Sequence, residues 1–409
     1  MSFGFILATF TAALALSTSL SGQRTWVVDD TMAAGAHFSG LIAAHAAASN
    51  GDRIQIRYGS GAGYASPVAF DKGVRICGLG SPKPTILYSD APIRCPPGEL
   101  LMLDSLEMRG VGPSRIPTGV ENSLGLVVLS NLDYPPPLLE AVYSWRSRRV
   151  VFVNIAIAGA GGALGVYDSR VWLLNCRTSV PSAGDPIWDG SIELSDNSFL
   201  AIVGGRHEGG SGLAPCLPLF CGYSGEPAIW VLGSALVVSG PASLLGGYAQ
   251  LPHPTCGGGS TTIRGRSIVG NCTQPRVIDP LASMNGPGIN PLCAMNFLHE
   301  MPAVIPGPAV RGQVQNIDAY GPTSSIVSVF ASFLTPYDPI VLPVGDVWLD
   351  PRLTVHIGSG AGLNAGRRIT FTTTIPAWLD VGDALVYQAV SLSPQSSFEI
   401  SQPGIAVVH

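Results

Sequence analysis

The sequence predicts an all-β fold, a parallel β-helix with an N-terminal capping helix followed by a small antiparallel β-sandwich, and three observations predict it. Arg149-Val-Val-Phe-Val-Asn154 and Arg170-Val-Trp-Leu-Leu-Asn175 superpose residue for residue at a separation of about one coil of stacked strands. Gly (50) and Pro (34) are abundant while charged residues make up only 12% of the chain. That balance excludes a helical bundle and a disordered polyelectrolyte, and favours short strands joined by tight turns. From Gly321 onward the chain breaks into short apolar runs separated by Gly, Pro and Asp, which is the spacing of an antiparallel sandwich.

In chain order, the opening segment MSFGFILATFTAALALSTSLSG carries an apolar stretch from Phe3 to Leu16 followed by small residues, and reads as a signal peptide over 1–22. No later stretch reaches the roughly 20 uninterrupted apolar residues that span a bilayer. The mature chain is expected to be secreted or displayed at the cell surface with no transmembrane segment. In an oxidising compartment the eight cysteines allow up to four disulfides, with Cys216–Cys221 and Cys256–Cys272 as the short-loop pairings.

A helix is predicted over about 38–49, with Phe38, Leu41, Ile42 and His45 on one face and Asn50-Gly51 ending it. GDRIQIRYGSGAGY follows with strand periodicity at Ile54, Ile56 and Tyr58. VVDD, HFSGLIAAHAAASNGDRIQIRYGSGAGY and FDKGVRICGLG together resemble the opening of secreted right-handed parallel β-helix proteins of the pectate-lyase-like superfamily. The match covers Trp26–Gly80, and extends as a looser pattern to about Cys272. The resemblance implies that the helix caps the open end of the stack and that the first coils follow directly.

The coils are expected to occupy 23–278, with looser copies of the repeat in NSFLAIVGG from Asn197, GSALVVSG from Gly233 and GRSIVGN from Gly265. Strand parity puts Val150, Phe152 and Asn154 on one side, and Val171, Leu173 and Asn175 on the same side one coil later, so these residues should stack inside. Asn154 and Asn175 then read as a structural ladder rather than as catalysts. Residues 279–318 lose the strand rhythm and read as a Pro/Gly-rich connector across the second end of the stack. The sandwich is expected over 319–409.

A formal charge of -5, with only Lys72 and Lys83 as lysines, gives no field for steering a polyanion and argues against nucleic acid as partner. The resemblance implies polysaccharide chemistry instead, because that superfamily hosts uronate lyases and glycoside hydrolases along the outer groove of the coils. A lyase of this kind needs carboxylates that hold calcium and a base close to the substrate. The densest group of suitable residues is Asp185, Asp189, Glu193 and Asp196 for the metal, with Arg206 and His207 as candidates for proton transfer beside Glu208. Asp196-Asn197-Ser198 also fits a plain turn, and Arg206-His207-Glu208 a solvated loop lip. The Asn-Thr-Asp, Gly-His-Gly and Arg-Ile-Lys signatures of polygalacturonases are absent.

Binding without cleavage needs less. Tyr167, Trp172 and Trp188 fall in or beside the middle coils, and parity turns Trp172 outward, where a flat ring makes a sugar platform unless a loop packs over it. The leading expectation is an exported β-helix protein that binds an extracellular polysaccharide or envelope matrix component without cleaving it. A calcium-assisted polysaccharide lyase and a purely structural surface protein are the alternatives.

Overall fold

A computed structural model of the protein describes residues 23–89, 91–110, 118–134, 142–159, 162–180, 190–210, 226–247, 266–271, 273–285, 296–361, 367–394 and 397–409. Within these, three longer parallel sheets and a short three-stranded one (Tyr64–Ala65, Thr85–Tyr88 and Glu107–Gly110) form the faces of a β-helix. The longest has eleven strands, from Thr25–Val28 through Arg149–Val153, Arg170–Leu174 and Phe199–Val203 to Asn296–Leu298. A six-stranded sheet runs through Thr118–Glu121, Val142–Trp145, Leu164–Tyr167, Ile192–Ser195, Ile229–Val231 and Ile268–Gly270. A five-stranded sheet contains Ala156–Ala158, Arg177–Ser179, Arg206–Glu208, Ser243–Leu245 and Ser283–Met284. Each middle coil contributes one strand to each of the three longer sheets.

The interior is built by register. Val127, Val150, Val171, Leu200 and Leu236 form one ladder, and Leu129, Phe152, Leu173, Ile202 and Val238 the next, all fully buried. The pairing of Phe152 with Leu173 predicted from the repeat is therefore present. Corners are held by repeats of a different kind. The N–H of Ser147 donates to Ser169 Oγ at 3.0 Å, that of Ser169 to Ser198 Oγ at 3.0 Å, and that of Ser198 to Ser234 Oγ at 3.0 Å, so buried backbone donors of successive coils are satisfied by one serine column.

At the opposite corner Asn131, Asn154 and Asn175 take left-handed φ of 50°, 52° and 53°, a conformation that Asn tolerates better than most residues. That reversal swings Asn154 and Asn175 out of the interior assigned by parity. They are exposed, yet still bond in a ladder, with Asn175 Nδ2 donating to Asn154 Oδ1 at 2.9 Å.

The capping helix spans Leu41–Ala47 and buries Leu41, Ala44 and His45. Ile42, expected on its inner face, is exposed, and Phe38 lies before the helix, bridging Val28 and packing against the core. Lys72 Nζ donates to the carbonyls of His45, Ala46 and Ala48, which closes the helix C-terminus with a cation.

Parallel pairing does not stop at 278. Ser283–Met284 and Asn296–Leu298 add to the coil sheets, and antiparallel pairing begins at Ala303–Pro306, inside the stretch expected as a connector. These last parallel strands are only two and three residues long, too short to show a rhythm in sequence. The C-terminal module then forms an antiparallel sandwich whose core includes Val304, Ile317, Val327, Tyr387 and Val408.

The module lies along the coils. Its Tyr320, Leu334, Trp348, Val386 and Ile405 pack on Val128, Val151, Trp172, Leu174 and Ala201, which all point outward from the eleven-stranded sheet. Ion pairs pin this contact along its length. Buried Arg53 meets Asp380 and Asp383 at 2.8 Å each, and Arg75 meets Asp383 at 2.9 Å. Arg149 donates to the carbonyl of Pro336 at 2.6 Å and also to that of Tyr337. Arg367, buried and itself at left-handed φ, forms a fork with Asp279 at 2.7 and 3.0 Å.

Cys77, Cys95 and Cys176 are buried free thiols, so the expected ceiling of four disulfides falls to two. The paired guesses Cys216–Cys221 and Cys256–Cys272 fall outside the described residues, as do the signal segment 1–22 and Cys293. No helix among the described residues is long and apolar enough to cross a membrane.

Because Asp279 is fully buried, removing its partner should cost more than removing the pair. Arg367→Ala is expected to lower the unfolding free energy by about 3–5 kcal/mol, and the double variant Asp279→Asn/Arg367→Met by less, as read from denaturant unfolding curves.

Candidate functional site

The three faces of the coil offer different surfaces. The eleven-stranded face is covered by the C-terminal module. The five-stranded face presents Arg177, Arg206 and Glu208, with Arg206 bound to Glu208 at 2.9 Å. The six-stranded face carries a strip of aromatic rings and carboxylates, and it is the candidate site.

That strip follows from strand alternation. In Val142–Trp145, Leu164–Tyr167 and Ile192–Ser195 every second residue is buried and faces the core, apolar except for Ser144, which turns Tyr143, Trp145, Gly165, Tyr167 and Glu193 outward. Register aligns them in two rows. The first is Gly119, Tyr143, Gly165, Glu193 and Trp230, and the second is Glu121, Trp145, Tyr167 and Ser195.

Glycine alternates with large side chains in the first row for a steric reason. A Cβ on Gly165 would stand 2.5 Å from the Tyr167 ring, and one on Gly119 would strike the Tyr143 ring, so each tyrosine lies over a glycine. The tyrosine hydroxyls hold the acids: Tyr167 donates to Glu193 at 3.0 Å, and Tyr143 donates to Glu121. Trp145 is 38% exposed and stacks under Arg146, whose guanidinium lies 4.5 Å from the ring centre. Arg146 also approaches Asp168 at 3.9 Å. The result is a ridge of flat apolar faces edged with oriented acceptors and cations, a surface that can stack on pyranose rings and bond their hydroxyls.

The residues predicted from sequence scatter over this framework. Tyr167 and Glu193 belong to the strip, although Glu193 serves there as an acceptor anchored by tyrosine. Asp196 is exposed at the next corner with φ of 59°, which is the turn role. Asp185, Trp188 and Asp189 lie outside the described residues. No group of three His, Cys, Asp or Glu able to hold a metal occurs among the described residues.

Trp172 points away from the coil interior as predicted, but it is 1% exposed and is no open platform. Its ring meets Trp348 edge-on at 4.9 Å, and its Nε1 donates to Gln402 at 2.9 Å. The cover expected from a loop comes from the C-terminal module instead.

Arg206 and His207 do not share a site. In the three-residue strand Arg206–Glu208 the middle side chain faces opposite to its neighbours, so His207 is fully buried between Thr178 and Leu244 of the adjoining coils. Its Nδ1 lies 3.0 Å from Thr178 Oγ1, which contacts Ser191 Oγ at 3.1 Å. Burial pushes the imidazole down to about 4, so it stays neutral. Nor do Arg206 and Glu193 approach one another's face, since they belong to the five- and six-stranded sheets.

Sequence reasoning missed Tyr143, Trp145, Trp230 and Glu121. The signal was available in VYSW against LGVY, whose alternation matches once the two segments are aligned one coil apart.

No family model and no curated protein matches the chain. Among solved structures it is similar to the enzymatically active domain of bacteriophage CBA120 tailspike protein 2, at 10% identity over 86% of this chain and 71% of that one, with a TM-score of 0.36.

The buried imidazole sets a pH dependence. Unfolded, His207 takes up a proton near 6.5, whereas folded it resists down to about 4, so its contribution is fully present above that window and is lost as pH falls through it. The unfolding free energy should drop by about 3 kcal/mol across the window from this residue alone. His45, lowered in the same direction by burial, adds to the slope. His207→Leu should flatten the curve measured from pH 7 to 4, and an unchanged slope would count against this assignment.

Proposed function

We propose that the protein is exported and binds an extracellular polysaccharide along the outer face of its six-stranded sheet without cleaving it. The observation that carries this reading is the two-row strip that brings Tyr143, Trp145, Tyr167 and Trp230 onto one face with Glu121 and Glu193. Aromatic rings laid over glycines need little rearrangement to receive a sugar ring, and preorganisation lowers the entropic cost of binding. Carboxylates fixed by tyrosine hydroxyls supply directional acceptors for sugar hydroxyls. A polymer is the fitting ligand because the rows cross several coils at about 4.8 Å per strand, so an extended chain of sugar units spans more than one ring.

The lyase alternative draws less support. Glu193 and Arg206, which it would recruit, stand on separate faces, and Arg206 is paired with Glu208. Export rests on the apolar segment Phe3–Leu16.

Retention on immobilised polysaccharides tests the proposal. Trp145→Ala and Tyr167→Ala are each expected to weaken the retained polymer about tenfold, the effect of losing one stacking contact of roughly 1.4 kcal/mol, with unfolding curves unchanged. Equal retention by the double variant would sink the strip as the site. Appearance of unsaturated ends, followed by ultraviolet absorbance, would replace binding with cleavage.

A further inference from the structure

We infer that Arg146 is a displaceable cover on the Trp145 platform, resting on the ring in the free protein and released to Asp168 when an uncharged pyranose takes its place. This inference rests on the polysaccharide reading and adds to it a ligand class and a specificity-determining residue.

The corner that borders the strip shows why Arg146 stands out. Strand register places Asn122, Arg146, Asp168 and Asp196 one after another, each directly following a residue of the second row. All four take left-handed φ, of 52°, 50°, 47° and 59°. Asn and Asp tolerate that conformation better than other residues that carry a side chain, and they hold three of the four positions. Arginine is the exception, and the backbone gives no reason for it. Its guanidinium instead finds a ring, 4.5 Å from the centre of Trp145.

The cover is weakly held at both ends of its travel. Arg146 Nε stands 3.9 Å from Asp168 Oδ2, longer than a hydrogen bond, and both side chains are more than half exposed. An exposed cation–π contact and an exposed ion pair are of similar, small strength, so the guanidinium exchanges one for the other at little cost. A side-chain rotation closes the gap. Asp168 lies past the end of its strand, so it then holds the cation at the corner and off the platform.

The vacated surface selects the ligand. A flat indole face suits the C–H face of a sugar ring. After release both guanidinia beside the ring have carboxylates of their own, Arg146 with Asp168 and Arg94 with Glu121 at 3.3 Å. Arg148 lines a cleft on the other side of the corner with Arg149 and Arg170. A uronate on Trp145 would therefore meet the Glu121 carboxylate one strand away, with no spare cation at the ring among the described residues. An uncharged pyranose polymer carries no such penalty.

Retention of the full chain on an array of neutral cello-, manno- and galacto-oligosaccharides beside oligogalacturonates and oligoglucuronates, followed by affinity measurement on the retained glycans, tests this. Retention by neutral glycans in preference to uronates is expected. Arg146→Asn, which suits the left-handed corner, should tighten binding about two- to fivefold, because no cation has to leave the ring. Asp168→Asn should weaken it about two- to fivefold by removing the place of release. In the Arg146→Asn background the same Asp168→Asn change should have no effect, since Asp168 acts only through Arg146. Unfolding curves should match the parent throughout. Weaker or unchanged binding by Arg146→Asn, an effect of Asp168→Asn that persists without Arg146, or uronates retained as strongly as neutral glycans would each overturn the inference while leaving polysaccharide binding in place. No retention on any glycan would overturn the polysaccharide reading itself.

Discussion

In-register stacking of parallel strands is the constraint on which the rest of the molecule depends. With neighbouring strands about 4.8 Å apart, a residue at a given coil position is forced against the residue at that position one coil away. Identical or compatible side chains therefore accumulate in columns: aliphatic inside, serine at one corner, asparagine at the other. A column satisfies its polar members coil by coil, which is why Ser147, Ser169 and Ser198 can be buried at little cost. A single mismatched residue is felt by both its neighbours.

The same constraint propagates outward. Strands of the long sheet are apolar at both parities, as in RVVFV and RVWLL, and a sheet buried on both faces reads in this way. The interior takes Val150 and Phe152, and the C-terminal module takes Val151 and Val153. Without that module a continuous apolar face would stand in water. The sandwich is thus a required layer of the fold, and the ion pairs of Arg53, Arg149 and Arg367 select where it sits. Strands of the other two sheets alternate, as in VYSW and RTS, and so do not require such a layer.

Much of this was legible before any coordinate. The superposition of 149–154 on 170–175 gave the register of Phe152 on Leu173, and Gly and Pro content with short apolar runs gave both halves of the fold. The cover over Trp172 was written in the same letters, since Val151, Val153 and Leu174 share its outward parity, but a partner 170 or more residues away in sequence leaves no local mark. Parity also failed where strands end. Asn154 continues the alternation on paper, yet a left-handed φ at the corner reverses its direction. His207 illustrates the opposite error: grouping Arg206 with His207 as neighbours in sequence ignored that adjacent strand residues face apart. The acidic cluster around Asp185 and Asp189 belonged to a stretch where sequence supplied composition without geometry.

The location of the candidate site follows from what the fold leaves free. Large rings need room on a sheet surface, and the long face is unavailable because the module occupies it. On the six-stranded face, Gly119 and Gly165 create hollows at coil positions where a side chain would push Tyr143 and Tyr167 away from the sheet. Those glycines interrupt otherwise good strands, where each costs roughly 0.5–1 kcal/mol relative to alanine. Core packing gives no reason for them, since their missing side chains point outward. A scaffold selected for stability alone would fill such positions with β-branched residues, so the departure from that rule singles out this face as the candidate surface.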